Sequence, residues 1–179
     1  FLEPDFWGSS DNPIACEAYG DDLLALFSFN EEIYAWGTQT LEVWQDDGVT
    51  PFSPIPSATT YAGLEAKSSI VAIDNTLFAL CVIDGTRCVI KIQNREPVII
   101  AKPINQVLAG YISTENARAF TVSCNGTHFY VLQFARQGKT WAYDIQSDTW
   151  TQWGTFNQET GFNEQFIGSH ACFAKTWNK

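Results

Sequence analysis

The stretch Asn125–Trp153, NGTHFYVLQFARQGKTWAYDIQSDTWTQW, predicts three short strands joined by two turns. The segments Phe129–Leu132 and Thr140–Tyr143 are rich in the aromatic and β-branched residues that half-buried strands prefer. Gln137-Gly138 and Gln146–Asp148 supply the breaks between the strands. An antiparallel unit of this size, if it recurs along the chain, is typical of a β-propeller blade or a stack of hairpins.

Two further copies of this unit precede it. The strand after the turn is Ile33–Trp36 in the first copy, Leu77–Leu80 in the second and Phe129–Leu132 in the third. Their starts lie 44 and 52 residues apart, close to the roughly 40 to 50 residues of known blade repeats. In each copy, one apolar run precedes the turn, and two further strands follow the strand that comes directly after the turn. The sequence therefore predicts an all-β fold of β-propeller-like repeats of four-stranded antiparallel blades.

The repeats divide the chain into five parts. These are an irregular lead-in at 1–20, blade-like repeats at 21–62, 63–113 and 114–160, and the start of a truncated fourth repeat at 161–179. Residues 154–168 are expected to form a polar connection. The fourth copy, Ala171–Trp177, stops where its next turn is due, and an open arc would leave strand edges in water. Either the chain is a segment of a longer polypeptide or another subunit covers the open faces, and the sequence favours the segment.

Prolines mark two local features. Pro103–Tyr111 carries apolar residues at 104, 107, 108 and 111, which is one helical face with a proline in its first turn. This pattern predicts one short inter-blade helix, placed in the second repeat. Pro51, Pro54 and Pro56 cannot donate to a sheet ladder, so the last strand of the first repeat is expected at an outer edge.

The composition indicates a core of rigid aromatic side chains. The chain is 45% apolar and 15% aromatic, with seven Trp and no Met. Trp36, Trp44, Trp141, Trp150 and Trp153 are expected to occupy equivalent strands and to pack between blades rather than to form a ligand cage. No stretch of about 20 apolar residues is present, so no membrane partner is predicted.

The charge balance disfavours nucleic-acid binding. Twenty acidic and ten basic residues give a formal net charge of −10, and such a surface repels phosphate. The pairs Asp21-Asp22 and Asp46-Asp47 lie beside turns and are expected to be solvated loops. Neither fits the alternating oxygen ligands of a calcium loop, so no metal or cofactor site is predicted.

Five cysteines stand at positions 16, 81, 88, 124 and 172, without the C-x-x-C spacing of zinc and redox motifs. Cys81 and Cys88 flank the turn Asp84-Gly85, and a two-residue hairpin would pair them directly. A one-residue slip would place the two thiols on opposite faces. The sequence leaves open whether they bond, and it favours free, mostly buried thiols in a protein folded in a reducing cytosol.

The histidines offer no catalytic arrangement. Ser169 and His170 are adjacent, so on a strand their side chains would point to opposite faces, and the glycine pattern of a nucleophile elbow is absent. His128 follows the turn Asn125-Gly126 at the start of a strand. The sequon Asn125–Thr127 is interpreted as part of this hairpin turn.

Four carboxylates, Glu17, Glu42, Glu65 and Asp144, could meet at a channel mouth as the paired acids of a carbohydrate-active propeller. No short motif singles out any pair of them. The histidines and carboxylates therefore predict no enzyme, with no catalytic, cofactor-binding or metal-ligating residue.

One short motif resembles the kelch family. Tyr143-Asp144 followed by Trp150 is similar to the Y-D…W element of kelch blades, although the double glycine that precedes it in that family is missing. This resemblance implies an alternative function, a propeller whose loops act as a protein-interaction adaptor.

A second resemblance covers residues 22–153. Its residues are Ile33–Gly37 leading to Leu41–Trp44, the lead Gly63…Ala66…Ser69-Ile70, the helix-like Pro103–Tyr111, and Gly126…His128–Leu132 leading to Thr140-Trp141…Tyr143-Asp144. This order is similar to the packaged-DNA stabilisation proteins of short-tailed bacteriophages, also called tail hub or tail accessory proteins.

The phage resemblance implies a virion structural protein without enzymatic activity. Such a protein joins the connector below the portal to the tail needle and tailspikes, assembles as a ring of six copies and keeps packaged DNA from leaking. It would be made in the cytoplasm of the bacterial host and end in the tail. We hypothesise that an acidic wall lets DNA pass as cargo without specific binding. The kelch-like adaptor and, third, the carbohydrate-active propeller are the alternatives.

Overall fold

The computed structural model describes residues 20–46, 48, 52–124, 126–166 and 168. Over these residues the chain forms three antiparallel sheets that follow one another in sequence. The predicted all-β fold is confirmed. Residues 1–19 of the lead-in and the fourth copy, Ala171–Trp177, lie outside the described residues.

The first sheet contains four strands in sequential order. They are β1 (Leu23–Phe29), β2 (Glu32–Gly37), β3 (Leu41–Gln45) and β4 (Ser53–Pro54). Strand β4 pairs only with the end of β3, through Trp44 opposite Pro54 and Gln45 opposite Ser53. The proline-marked strand is therefore at the sheet edge, as its missing N–H donors require.

The second sheet has five strands because its first position is divided between two short ones. The strands are β5 (Gly63–Leu64), β6 (Val71–Ile73), β7 (Thr76–Ile83), β8 (Thr86–Gln93) and β9 (Glu96–Ile99). Strands β5 and β6 both pair antiparallel with β7, while β8 pairs with its other side. The 3-10 helix Lys67–Ser69 interrupts the ladder between them.

The third sheet also has a fifth strand. It consists of β10 (Arg118–Cys124), β11 (Thr127–Phe134), β12 (Lys139–Asp144), β13 (Thr149–Phe156) and β14 (Asn163–Gln165). The polar connection expected over 154–168 is thus wrong in part. Asn157 closes a turn through its side-chain oxygen, which accepts hydrogen bonds from the backbone N–H groups of Glu159 and Thr160 at 2.8 and 3.3 Å, and this turn returns β14 onto β13.

A short helix lies between the second and third sheets, as predicted. Helix α1 (Asn105–Ala109) continues from the 3-10 helix Lys102–Ile104, which has Pro103 in its first positions. Ile104 and Leu108 are buried, so the apolar face points into the core. In the described part of the chain, no helix has the length and apolar character needed to span a bilayer.

Tight turns close four of the hairpins. Both central residues have positive φ in the pairs Asn30-Glu31, Asp74-Asn75, Asp84-Gly85 and Asn94-Arg95. This is the type I′ geometry, whose twist matches that of the flanking strands. Asn, Asp and Gly adopt it readily, whereas Glu31 and Arg95 adopt a conformation that longer side chains disfavour.

The equivalence of the three copies needs one correction. Strands β2, β7 and β11 begin at Glu32, Thr76 and Thr127, and in each case two residues separate the strand from the one before it. The alignment of the third copy to the other two therefore shifts by one residue. His128, and not Phe129, is equivalent to Ile33 and Leu77, since each is the second residue of its strand. Because side chains alternate across a strand, this shift exchanges the faces of the whole strand.

Aligned this way, each copy carries an aromatic residue at the third position of its second strand: Tyr34, Phe78 and Phe129. The next position is Ala35 in the first copy, Ala79 in the second and Tyr130 in the third.

The second sheet lies between the other two and is buried on both faces. Residues 77–81 of β7 each have 0% exposure. Phe78 faces the third sheet, where its ring stacks on that of Tyr130 at a centroid distance of 5.0 Å. Ala79 and Cys81 lie on the opposite face because strand side chains alternate. One continuous core joins all three sheets.

Candidate functional site

The structure distributes the candidate carboxylates among different sheets. Glu42 lies on β3 with 3% exposure and accepts a 3.0 Å hydrogen bond from the Trp44 indole N–H. Asp144 ends β12 and accepts backbone N–H bonds from Gln146 and Ser147 at 2.9 and 3.2 Å. Each of these two carboxylates therefore accepts hydrogen bonds only from residues of its own sheet or its adjoining turn, among the bonds described.

Glu65 follows β5 and links the second sheet to the segment before β10. It accepts a 3.0 Å hydrogen bond from Arg87 Nε, and a second from the Thr114 hydroxyl. Glu17 lies outside the described residues. The geometry thus gives Glu42, Glu65 and Asp144 separate structural partners, rather than the facing arrangement that a glycosidase requires.

His128 ties two sheets together. Its Nδ1 contacts a carboxylate oxygen of Asp74, so the start of β11 is joined to the turn between β6 and β7. The contact is an ion pair when the imidazole is protonated. Ser169 and His170 are outside the described residues.

Three more polar contacts cross between sheets through turns or neighbouring strands. They are Asn30 to Asn75 at 2.7 Å, Arg95 Nε to Glu32 at 2.6 Å and Lys91 to Asp148 at 3.3 Å. The first two join the first sheet to the second, and the last joins the second to the third. Together with His128–Asp74, they give each neighbouring pair of sheets at least two polar contacts.

The expectation that the five tryptophans occupy equivalent strands is wrong in part. Trp44 on β3 and Trp141 on β12 lie on the third strands of their sheets, whereas the others lie on β2 and β13. Trp36 on β2 is fully buried in the common core, and Trp141 and Trp150 pack against that core. The Trp150 indole N–H also donates to the carbonyl of Ile100 at 2.8 Å, across the boundary between the second and third sheets. These three side chains are packing residues.

The two remaining tryptophans lie on outer faces of the stack. Trp153 packs in a separate apolar cluster with Phe129 and Phe166, on the face of the third sheet that points away from the second. Trp44 lies on β3 beside Glu42, on the face opposite the core residue Val43.

Cys81 and Cys88 lie directly opposite each other, as the Asp84-Gly85 turn predicts, and both are buried thiols. In a two-residue hairpin this pair, two steps from the turn, is a hydrogen-bonded pair. In such pairs the distance between the two Cβ atoms is near the upper end of the general range of about 4.5–5.5 Å. A disulfide needs a Cβ–Cβ distance of about 3.5–4.5 Å. Burial raises the pKa of Cys88 to about 11. Cys16 and Cys172 lie outside the described residues.

Asp21 has a structural role that the sequence analysis missed, because it was expected to be a solvated loop residue. Its Oδ2 accepts backbone N–H bonds from Gln39 and Thr40 at 2.7 and 2.9 Å, and so caps the loop between β2 and β3. Desolvation raises the pKa of Asp21, but the combined hydrogen bonds from Gln39 and Thr40 outweigh it and lower the pKa below its ordinary value. Gly37 leaves the space that the carboxylate occupies.

Asp46 accepts a 2.8 Å bond from the Gly48 N–H. Asp47 and Asn125, the first residue of the sequon, are outside the described residues.

The segment Tyr111–Thr114, here called the Ile112 loop, presents an apolar side chain to solvent. Ile112 is 97% exposed. The residue before it is held twice, because Arg87 donates to the Tyr111 carbonyl at 2.6 Å and the Trp141 indole donates to the Tyr111 hydroxyl at 3.1 Å. The Tyr111 ring also packs against Phe134 at a centroid distance of 5.0 Å.

The residues after Ile112 are held as firmly. The Gln137 amide donates to the Ser113 carbonyl at 2.8 Å, and the Thr114 hydroxyl donates to Glu65. The loop is therefore fixed on both sides of an exposed aliphatic group. A partner that buried Ile112 would gain apolar contact with little loss of loop entropy.

Sequence reasoning missed the Ile112 loop because its clamps come from residues far along the chain. Arg87 and Trp141 belong to different sheets, 24 and 30 residues from Tyr111. The available signal was an isoleucine placed directly between the end of the predicted helix and the polar pair Ser113-Thr114.

The described residues contain no group of three or more His, Cys, Asp and Glu side chains placed to hold a metal ion. What they do contain is a stack of tied sheets with an exposed, preorganised loop. This arrangement is typical of an all-β protein of the propeller class.

The family match makes the assignment specific. A family model described as bacteriophage P22 Gp10, beta-propeller, matches residues 12–177, so the chain belongs to this phage stabilisation family. No curated protein matches the chain. The resemblance to packaged-DNA stabilisation proteins and the propeller fold are both confirmed. The chain is a phage structural protein that stabilises DNA and contacts other phage proteins in the virion.

Proposed function

We propose that the chain is part of a tail hub that joins the connector below the portal to the tail needle and tailspikes. In this role it is a rigid, non-enzymatic plate, made in the cytoplasm of the bacterial host and assembled into the tail as a ring of six copies. Family membership supports the phage function over the kelch-like and carbohydrate-active alternatives.

The observation that carries the proposal is the Ile112 loop. The Ile112 side chain is 97% exposed, so a partner that covered it would remove apolar surface from water. The clamps on Tyr111, Ser113 and Thr114 hold it in one position. A structural joint needs such preformed contacts, because each disordered loop would reduce the affinity of assembly.

Substitution of Ile112 in the complete protein tests the proposal in assembled phage. Ile112→Asp places a charge in the proposed interface, so we expect heads that package DNA but lose it during purification. Phe162→Asp is the matched control, because Phe162 is also exposed, at 73%, but lies in the turn before β14. DNA retention and tail incorporation are measured by electron microscopy and by nuclease sensitivity of the genome.

Stable, DNA-filled, fully tailed Ile112→Asp particles would count against the hub contact. Ring assembly has its own measurement, the mass of the purified complex, for which six copies are expected. A lumen no more acidic than the outer surface would overturn the hypothesis that an acidic wall lets DNA pass without binding.

A further inference from the structure

A cleft lies where the leading edges of the three sheets meet. Its volume is about 910 Å³. Its walls come from Leu24 on β1, from the 3-10 segment Lys67-Ser68, and from Arg118 and Gln133, which pair across β10 and β11. Residues from all three sheets therefore shape one recess.

The acidic side chains of this cleft already have partners. Glu65 accepts hydrogen bonds from Arg87 and Thr114. Glu115 accepts a 3.0 Å bond from Ser113 and lies 3.7 Å from Arg136. Their negative charge is thus partly or wholly compensated from outside the cleft.

Within the described residues, the basic side chains of the cleft have no acidic partner. Among the described residues, four cations form ion pairs with carboxylates: Arg87, Lys91, Arg95 and Arg136. Within the same part of the chain, the cations without an acidic partner are Lys67, Lys102, Arg118 and Lys139. Two of these four line the cleft. In a chain with twice as many acidic as basic residues, this concentration of unmatched positive charge indicates an anion-binding recess.

The segment that carries Lys67 is held in place. The Ser69 hydroxyl donates to the Ala66 carbonyl at 2.7 Å and accepts the Leu80 N–H at 2.9 Å. The Tyr130 hydroxyl donates to the Ser69 carbonyl at 2.9 Å. These bonds fix the backbone beside Lys67-Ser68, so a ligand would meet a preformed wall.

We propose that this cleft binds an acidic peptide segment of another virion protein, with Lys67 and Arg118 as the residues that hold its carboxylates. A guanidinium can bind a carboxylate through two parallel N–H bonds, and an ammonium adds a point charge. Ser68 and Asn116 line the same recess and can hydrogen-bond the peptide. A peptide with a few carboxylates fits better than DNA, because DNA carries about one negative charge per 1.7 Å and would extend past the two cations over a chain whose formal net charge is −10. The identity of the partner as a virion protein rests on the proposed function.

The test uses the full chain, ¹⁵N-labelled, titrated with a hexaglutamate peptide and followed by NMR. We expect saturable shifts at the amides of Ser68, Asn116 and Arg118. Lys67→Gln and Arg118→Gln should each weaken binding about tenfold, the loss of one charge-assisted contact. Among the described residues, Lys102 and Lys139 are the unmatched cations outside the cleft, and we expect the affinity of Lys102→Gln and of Lys139→Gln to equal that of the parent chain.

Three outcomes would overturn the proposal. One is the absence of saturable binding at these amides. Another is an equal loss in all four variants, which indicates a general charge effect. The third is tighter binding of a single-stranded DNA hexamer or of inorganic phosphate than of hexaglutamate, which makes the recess a phosphate site. Circular dichroism of each variant verifies the fold. Because the assay contains no phage particle, failure of the tail-hub proposal would leave its result unchanged.

Discussion

The second and third sheets share a strand order but differ in their surroundings. Both have long central strands, β7-β8 and β11-β12, and both carry an aromatic residue at the same position, Phe78 and Phe129. Phe78 is fully buried between two sheets. Phe129 is half-buried in the smaller cluster with Trp153, on the face that points away from the second sheet.

This difference shows that burial on two faces, rather than strand pairing alone, determines how firmly a sheet is held. A strand buried on both faces loses apolar contacts on both sides when it opens. A strand covered on one side loses about half of them. We therefore expect the second sheet to dominate the stability of the described stack.

The largest effect is expected from truncating the two equivalent aromatic residues. Phe78→Ala should lower the free energy of unfolding by about 3–5 kcal/mol, because it leaves a cavity beside Tyr130. Phe129→Ala should cost less than about 2 kcal/mol, since its ring is only partly buried. Urea unfolding followed by tryptophan fluorescence measures both. Equal losses would contradict the ranking of the two sheets.

Two glycines test the close contacts at each sheet. A Cβ at Gly63 in the second sheet would overlap the backbone of Thr38, so Gly63→Ala should cost about 2–3 kcal/mol by forcing two sheets apart. Gly154→Ala in the third sheet would place its Cβ 2.9 Å from the Glu164 carbonyl. Strand β14 can shift at the edge, so we expect about 1 kcal/mol.

Gly110→Ala is the control for both glycine variants. Its nearest neighbour would lie at 3.5 Å, in ordinary contact, and its φ of −76° suits alanine. We expect a change within about 0.5 kcal/mol. Thermal unfolding of the three variants ranks them, and a Gly154→Ala loss above that of Gly63→Ala would reverse the comparison.

The rates at which cysteines in the second and third sheets are labelled compare the burial of the two sheets without any mutation. Burial raises the pKa of Cys88 in the second sheet to about 11 and that of Cys81 still further, whereas Cys124 in the third sheet is exposed. Near pH 8 the thiolate of Cys88 should be about 100-fold scarcer than that of an ordinary cysteine. Maleimide labelling with peptide mapping should modify Cys124 first. Native-state labelling of Cys81 or Cys88 at the same rate would refute their burial, and urea should remove the difference.

The smallest effect concerns a turn cap outside the second sheet. Because hydrogen bonds lower the folded-state pKa of Asp21, its contribution to stability is present above its ordinary value of 3.8 and is lost as pH falls through the folded-state value. Asp21→Asn should cost less than about 1 kcal/mol at pH 7, given its solvent exposure, and nothing once the carboxyl is protonated.

Asp84→Asn in the second sheet is the matched variant for Asp21→Asn. The type I′ turn at Asp84 accepts either residue, so we expect a change within about 0.5 kcal/mol at pH 7. Chemical unfolding at pH 7 and pH 3 gives both values. A pH-independent loss in Asp21→Asn would show that the carboxylate charge has no part in the cap.

The sequence predicted best where turn chemistry is local. A two-residue turn at Asp84-Gly85 predicts the pairing of Cys81 with Cys88, and the structure has this register rather than the one-residue slip that the sequence left open. The helix after Pro103 and the edge position of β4 followed from proline geometry in the same way.

Features set by distant contacts were missed. The divided first strand of the second sheet depends on Ser69 bonding to Leu80 and Tyr130, and the Ile112 loop depends on Arg87 and Trp141. The third copy was placed one residue late, because the apolar run starting at Phe129 hides the polar strand start at Thr127. No pattern along the chain contains these pairings.

The residue that follows the shared aromatic position differs in size between the repeats, and this difference limits how the repeats could be rearranged. The second sheet offers Ala79 to its predecessor, whereas the third offers Tyr130, whose ring lies against Phe78. Recombination that exchanged these two modules would leave a void at one boundary and a collision at the other. The two sheets therefore cannot exchange places along the chain, because these side chains differ in size although the backbones are alike.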